Sequence, residues 1–373
     1  MLRFDKPVQV TRSALPSIKD YTELLRKVWD SAWLTNMGPL HIELEEKLKS
    51  YLNLDFLTLF TNGHLALESA LRVLELKGDV ITTPFTFAST IHAISQCGLN
   101  PVFCDIKASD YTIDEEKIEE LITAQTCAIM PVHVYGYPCD VKRIAEIAQK
   151  HNLKVIYDAA HVFGVKINEA PIGYYGDISM FSFHATKVFH TIEGGMLTYN
   201  DEAIGEKLNI LKNFGIVDSE TVAAVGFNAK MNEFQAAMGL LNIEAIDSNI
   251  EKRKIISFTY RNALRDIHGI RFLNDISGVR HNYAYFPIEI LGFARDYLHE
   301  KLKEANIFTR KYFYPLANDY DCYKQQYSSF DTPVAKAIAE RILVLPLYPE
   351  LSIDDVESIC HIIRNIMKEY KPV

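Results

Sequence analysis

Three things are scarce in this 373-residue sequence, and each scarcity narrows what the protein can be. Cysteine is the first: Cys97, Cys104, Cys127, Cys139, Cys322 and Cys360 are scattered, and no Cys-x-x-Cys pair occurs. That spacing suits neither a disulfide framework nor a metal site, and it predicts reduced, mostly buried thiols in a cytoplasmic protein. Positive charge is the second. The chain has 39 Lys and Arg against 48 Asp and Glu, a formal net charge of −9, with a pI near 5.8. A nucleic-acid binder normally shows a basic footprint, so no such partner is expected. Long apolar runs are the third: none approaches the roughly 20 residues of a membrane span. The opening Met1-Leu-Arg-Phe-Asp-Lys-Pro7 also lacks the charged-then-apolar layout of a secretion signal. What is present is ordinary for a soluble globular chain, 48% hydrophobic and 23% charged residues. This length can bury a substantial core and accommodates two domains, or one large domain with a smaller lobe.

From about Asp55 to Asn200, short apolar runs alternate with helix-period stretches. Phe56–Phe60, Val80–Thr83, Pro101–Cys104, Cys127–Val134 and Lys154–Tyr157 read as strands. Ala66–Leu74, Ser89–Ser95, Asp114–Leu121 and Val141–His151 read as the helices between them, with further strands near 178–183 and 195–199. Such alternation predicts βαβ units and a mainly parallel sheet covered on both faces. After Met231 the character changes. One long helix, or two in tandem, is expected to about Ile267, then a strand over His281–Ile290 and helices near 293–305, 333–343 and 354–369. Strands and helices in separate blocks suggest a smaller α+β lobe. The expected division is a large α/β domain over 1–245 and a small C-terminal domain over 246–373.

Lys187 is the residue that points to chemistry. An apolar strand pattern, Ile178-Ser-Met-Phe-Ser-Phe, runs into a lysine ringed by Ser182, His184 and Thr186, and Glu193-Gly-Gly195 follows. Taken alone, a lysine there reads as one snorkelling from a strand end. Burial and neighbouring groups can instead lower an amine's pKa until it acts as a nucleophile. Asp158 ends the apolar strand Val155-Ile-Tyr-Asp158, where a parallel sheet presents its ligand crevice. With pyridoxal phosphate in that crevice, such a carboxylate would keep the pyridine nitrogen protonated; the local alternative is a helix N-cap. Thr61-Asn-Gly-His-Leu65 joins a strand to a helix, so its backbone amides can receive a phosphate, and Ser182 can add a hydroxyl. In Pro84-Phe-Thr-Phe-Ala-Ser89, Phe87 is the candidate to stack on a flat cofactor and Phe85 is expected to pack inward. Asn228 and Lys230 open the long helix; they are candidates to reach a phosphate across a subunit interface, or else part of a solvated helix start.

Together these segments resemble the DegT/StrS family of nucleotide-sugar aminotransferases. The matching stretches are Trp33-Leu-Thr-Asn-Met-Gly-Pro39, Thr82–Ala88, Pro101–Ile106, Pro131-Val-His-Val-Tyr-Gly136, Asp158-Ala-Ala-His161, Ser182–Lys187, Glu193-Gly-Gly195, Gly226-Phe-Asn228 and Leu345-Pro-Leu-Tyr-Pro349. They cover nearly the whole chain in order. The resemblance implies an α/β, fold type I, pyridoxal 5'-phosphate-dependent transferase, with Lys187 as covalent anchor and later general acid/base. It implies that Asp158 pairs with the pyridine nitrogen, that His161 meets the phenolic oxygen and that Phe87 stacks on the ring. Gly63, His64 and Ser182 would hold the phosphate, joined by Asn228 from the second subunit of a homodimer. The implied partners are L-glutamate and a nucleotide-linked keto sugar. The Trp33–Asn36, Gly38-Pro39 and Val155–His161 stretches favour dTDP-4-dehydro-6-deoxy-D-glucose, used in building O-antigen sugars.

Amination at C3, a GDP- or UDP-linked sugar, and a catalytically silent regulatory member are the alternatives. Related sugar dehydratases carry histidine in place of Lys187. Three positions depart from the family pattern: Asn62-Gly63-His64 where Ser-Gly-Thr is usual, Ile192 where Gly is, and Lys230 where Arg is common. Arg310, Tyr312 and Tyr314 are expected to face the sugar.

Overall fold

The protein is described from a computed structural model, which covers residues 3–327 and 330–370. Seven strands form the large sheet, in the order Leu57–Phe60, Gly195–Tyr199, Ile178–Ser182, Lys154–Asp158, Thr126–Ile129, Asp79–Thr82 and Asn100–Phe103. Six run parallel, and only Gly195–Tyr199 runs against its two neighbours. The central strands are apolar at almost every position because helices cover both faces of a βαβ sheet. On one face, Leu59, Ile81, Ile129, Tyr157 and Phe181 join the main core. On the other, Phe60, Val80, Ala128, Ile156 and Met180 pack with Ala66, Leu67 and Ala70 of the helix Gly63–Val73.

The long helix is continuous from Glu233 to Leu264, opened by a capping box in which Asn232 and Gln235 exchange hydrogen bonds. Its first residue braces another element. The buried Glu233 carboxylate accepts from the amides of Leu40 (2.8 Å) and His41 (3.0 Å), at the start of the helix Pro39–Leu52. Those first-turn N–H groups have no partner inside their own helix, and a carboxylate there also complements the helix dipole.

A second core collects Ile256, Tyr260 and Leu264 from the far half of the long helix. It adds the three-stranded antiparallel sheet Ile270–Phe272, Phe286–Ile290 and Ile342–Leu345, and the helices Arg295–Glu304 and Ile353–Glu369. The helix therefore crosses position 245 without a break. Val8 from the N-terminal segment also lies in this second core, bridged to Ile307.

Two expected strands are shorter than their apolar patterns. The first ends at Ile129, beyond which Tyr135 takes φ 57°. The second begins at Phe286, not His281. Asn282 instead sends its amide to the carbonyls of His161 (2.9 Å) and Phe163 (3.0 Å), and Tyr283 takes φ 51°. Hydrophobic alternation fixed the face there, but side-chain hydrogen bonding claimed the backbone. Among the described residues, no helix is long and apolar enough to cross a membrane.

Candidate active site

Asp158 and Ser182 are the last residues of adjacent parallel strands, and Gly195 pairs with Ser182 as the antiparallel strand begins. All three lie at the carboxyl edge of the sheet, the position at which α/β sheets take ligands. A cavity of about 610 Å³ opens over this edge, lined by Gly63, His64, Phe87, Asp158, His161, Ser182 and Lys187 among others. Seven of the eight expected site residues therefore converge. Asn228 does not: it is exposed in a separate open recess with Lys230 and Asn232, and Thr61 touches both spaces.

The electrostatics centre on Asp158 and Lys187. Asp158 is 4% exposed. Burial raises its pKa above the ordinary carboxylate range, opposed by the hydrogen bond from Thr90, the Ala160 amide and the charge of Lys187. The bonds are 2.7 Å from Thr90 Oγ1 and 3.1 Å from Ala160 N. Thr90 donates to Asp158, so in the 2.8 Å contact between its hydroxyl and that of Thr86 it is Thr86 that donates. Lys187 is shifted the opposite way: burial lowers its pKa, and the Asp158 charge only partly restores it. Its Nζ lies 6.0 Å from the centre of the Tyr285 ring, whose hydroxyl burial pushes up to about 12. The result is an amine with more neutral character than a surface lysine, facing an acid that needs a cation beside it.

His161 is held in one tautomer. Its Nδ1 accepts from the amide of Tyr135 (3.1 Å), so the neutral ring carries its proton on Nε2. Burial drives its pKa well down, and the Lys187 charge adds to that. His161 is therefore a neutral donor at the cavity wall.

At the opposite end, Asn62 caps the helix Gly63–Val73 by accepting from Leu65 N (2.8 Å). The Gly63 and His64 amides have no acceptor among the described residues. A β-carbon on Gly63 would lie 3.1 Å from that of Ser182, and one on Gly195 only 2.6 Å from the Asn62 carbonyl oxygen. The two glycines let this turn press against the strand ends and leave its amides open. The ring of Phe87 is 56% exposed on the cavity wall, while Phe85 is fully buried among Tyr111, Tyr135 and Phe313.

Of the three residues expected to face the sugar, Arg310 and Tyr312 line the cavity, with the guanidinium stacked 5.1 Å over the Tyr312 ring. Tyr314 is not part of the lining and packs under Arg295. Thr90, Tyr135 and Tyr285 were not foreseen. Thr90 lies one helical turn beyond Phe87, the only hint the sequence held. Among the described residues, no three His, Cys, Asp or Glu side chains gather as a metal site.

A crevice lysine with a depressed pKa, a buried carboxylate in the same cavity and a turn with two free amides, on this sheet, form the arrangement expected of a fold type I transferase. The family comparison agrees: the profile of the DegT/DnrJ/EryC1/StrS aminotransferase family matches residues 17–364. The chain belongs to that family. It is 44% identical over 365 residues to dTDP-4-amino-4,6-dideoxy-D-glucose transaminase of Shigella dysenteriae, covering 97% of this chain and 100% of that one. Among solved structures it is similar to DesI, crystallised in the presence of its TDP-sugar product (TM-score 0.94, 32% identity, 99% and 95% of the two chains). It is also similar to the PLP-form of the sugar aminotransferase Spr1654 from Streptococcus pneumoniae (TM-score 0.90, 25% identity, 97% and 99%).

Proposed function

We propose that the chain transfers the amino group of L-glutamate to C4 of dTDP-4-dehydro-6-deoxy-D-glucose, with pyridoxal 5'-phosphate as cofactor. It would act as a homodimer in the cytoplasm and supply an amino sugar for O-antigen assembly. The observation that carries this reading is the opposition of Lys187 and Asp158 across one cavity. The transaminase names of its relatives, at 44% identity for the Shigella protein, favour the dTDP-linked 4-keto sugar.

The residues fit the cofactor. Asp158 is a buried acid whose ionisation is costly without a nearby cation, and a protonated pyridine nitrogen removes that cost. His161 Nε2 can donate to the phenolic oxygen. Phe87 offers an exposed ring face, and the Gly63 and His64 amides with the Ser182 hydroxyl can take the phosphate. When bound, pyridoxal phosphate would supply the electron sink that makes an amino acid's α-proton removable.

Lys187 would hold that group covalently, and its Nζ would then take and return the proton at the substrate carbon bearing nitrogen. A lowered amine pKa suits both tasks, because the free base must be present near neutral pH. Arg310, exposed beside Tyr312 at the cavity, would attract a carboxylate or diphosphate. Dimerisation is supported by the apolar side chains left in solvent: Trp29 is 68%, Ile42 56%, Val222 69% and Val225 92% exposed. It would also give Asn228 a phosphate to reach in the partner's cavity.

The test is product identity. Purified protein with glutamate and a panel of 3-keto and 4-keto sugar nucleotides should yield dTDP-4-amino-4,6-dideoxyglucose, identified by NMR. Turnover by Lys187→Ala at the normal rate, or amination at C3 instead, would overturn the reading at a different step in each case.

A further inference from the structure

His64 stands second in the helix whose first turn receives the phosphate, yet its ring is fully engaged elsewhere. Nδ1 lies 2.9 Å from Ser89 Oγ, and Nε2 lies 2.8 Å from Gln96 Oε1 and 3.2 Å from Glu68 Oε1. Nε2 faces two acceptors and so carries the proton; Nδ1 then accepts from the Ser89 hydroxyl. Ser89 and Gln96 lie two turns apart on one face of the helix Ala88–Gln96. That same helix begins at Phe87, its N-cap, and carries Thr90, the donor to Asp158.

One imidazole thus ties the anion-receiving turn to the element that sets both the stacking ring and the acid's hydrogen bond. We propose that His64 is a positioning residue: a strut that fixes the Gly63–His64 amides at one separation from Phe87 and Asp158, rather than a side-chain ligand of the phosphate. The inference rests on the reading that this cavity holds pyridoxal phosphate. It assigns the phosphate contact at His64 to the backbone. Phosphate end and ring end are then gripped as one unit.

The experiment compares His64→Ala, Gln96→Leu and the double variant for binding of pyridoxal phosphate and of pyridoxal, which lacks the phosphate. Titrating apoprotein and following the visible band gives each dissociation constant without turnover. Gln96 does not line the cavity, so only a strut makes it matter. Gln96→Leu should weaken both compounds roughly threefold to tenfold, the worth of one lost hydrogen bond, and His64→Ala at least as much. The double variant should be little worse than His64→Ala alone, because Gln96 reaches the turn only through that imidazole.

A direct phosphate ligand gives another pattern: His64→Ala weakens pyridoxal phosphate alone and Gln96→Leu weakens nothing. That result overturns the proposal, as does wild-type affinity in both single variants. His64→Gln, which can still reach one partner, should recover part of the loss, and unchanged unfolding midpoints exclude a folding defect. Failure of the wild-type protein to form a borohydride-bleached band would sink the cofactor reading instead, so the two failures are distinguishable.

Discussion

Thr90→Val is the most informative single change, since it alters one hydroxyl and almost no volume. Thr90 is fully buried and donates to Asp158 Oδ2 at 2.7 Å. A hydrogen bond to an ionised group is worth about 1.5–3 kcal/mol. Thr86 is buried too and would lose its own acceptor, a cost equal in both ionisation states of Asp158 that lowers stability without adding to the shift. At 1.36 kcal/mol per decade, the ionised form of Asp158 becomes roughly ten- to over a hundredfold less favoured relative to the protonated form. Burial already holds the pKa of Asp158 above its ordinary range, and Thr90 is the largest influence pulling it back. Removing that donor raises it further. The acid limb of the rate profile should therefore move to higher pH, and pyridoxal phosphate affinity should fall. Thr90→Ser, which keeps the donor, should stay within about threefold of wild type, a small fraction of one hydrogen bond's worth. The measurements are kcat/KM against pH and the cofactor's dissociation constant. A Thr90→Val enzyme with an unmoved acid limb and unchanged affinity would refute the account of how Asp158 is kept charged.

Phe87→Ala should weaken pyridoxal phosphate by about 1 kcal/mol, roughly fivefold, for the loss of an aromatic contact; spectroscopic titration checks it, and unaltered affinity would remove Phe87 from the site. Glu233→Ala strips two buried amides of their acceptor and should cost about 2–6 kcal/mol in urea unfolding, since each orphaned donor costs about 1–3 kcal/mol. Lys212→Met should stabilise the protein at pH 7. Lys212 is fully buried with a carbonyl contact of 3.4 Å to Leu59, and burial lowers its pKa from 10.5 to about 8. The cost of burying its charge, up to about 3 kcal/mol, is present in full below pH 8. As pH rises from 8 toward 10.5 the folded state sheds the proton before the unfolded one does, so wild-type stability rises and the gap to Lys212→Met should close.

The sheet and the ends of its strands were legible because burial on both faces leaves apolar runs that a reader can see. The same signal overran at Cys127–Val134 and His281–Ile290. Apolar alternation continues there, but the chain takes left-handed turns at Tyr135 and Tyr283 that spacing does not encode. At the site, Asp158 was readable from its place at a strand end, Phe87 from a helix start, and Lys187 from the polar ring of residues that follows an apolar strand. Thr90 was not, because a threonine inside a helix looks the same whether or not a carboxylate waits beyond it. His64 stood out as an unusual residue in its turn, but its partners Ser89 and Gln96 lie on a different helix and could be found only in three dimensions.

The single antiparallel strand sets how far Lys187 can travel. Ser182 and Gly195 sit side by side in the sheet, so the segment from Phe183 to Gly194 leaves and returns at the same place with Lys187 inside it. Under the proposed mechanism the amine would have to leave its bond, move aside and return in every cycle. With both ends pinned to neighbouring strands, each excursion starts and finishes within the same small volume. On the proposed reading the amine would therefore stay at a high effective concentration over the substrate carbon.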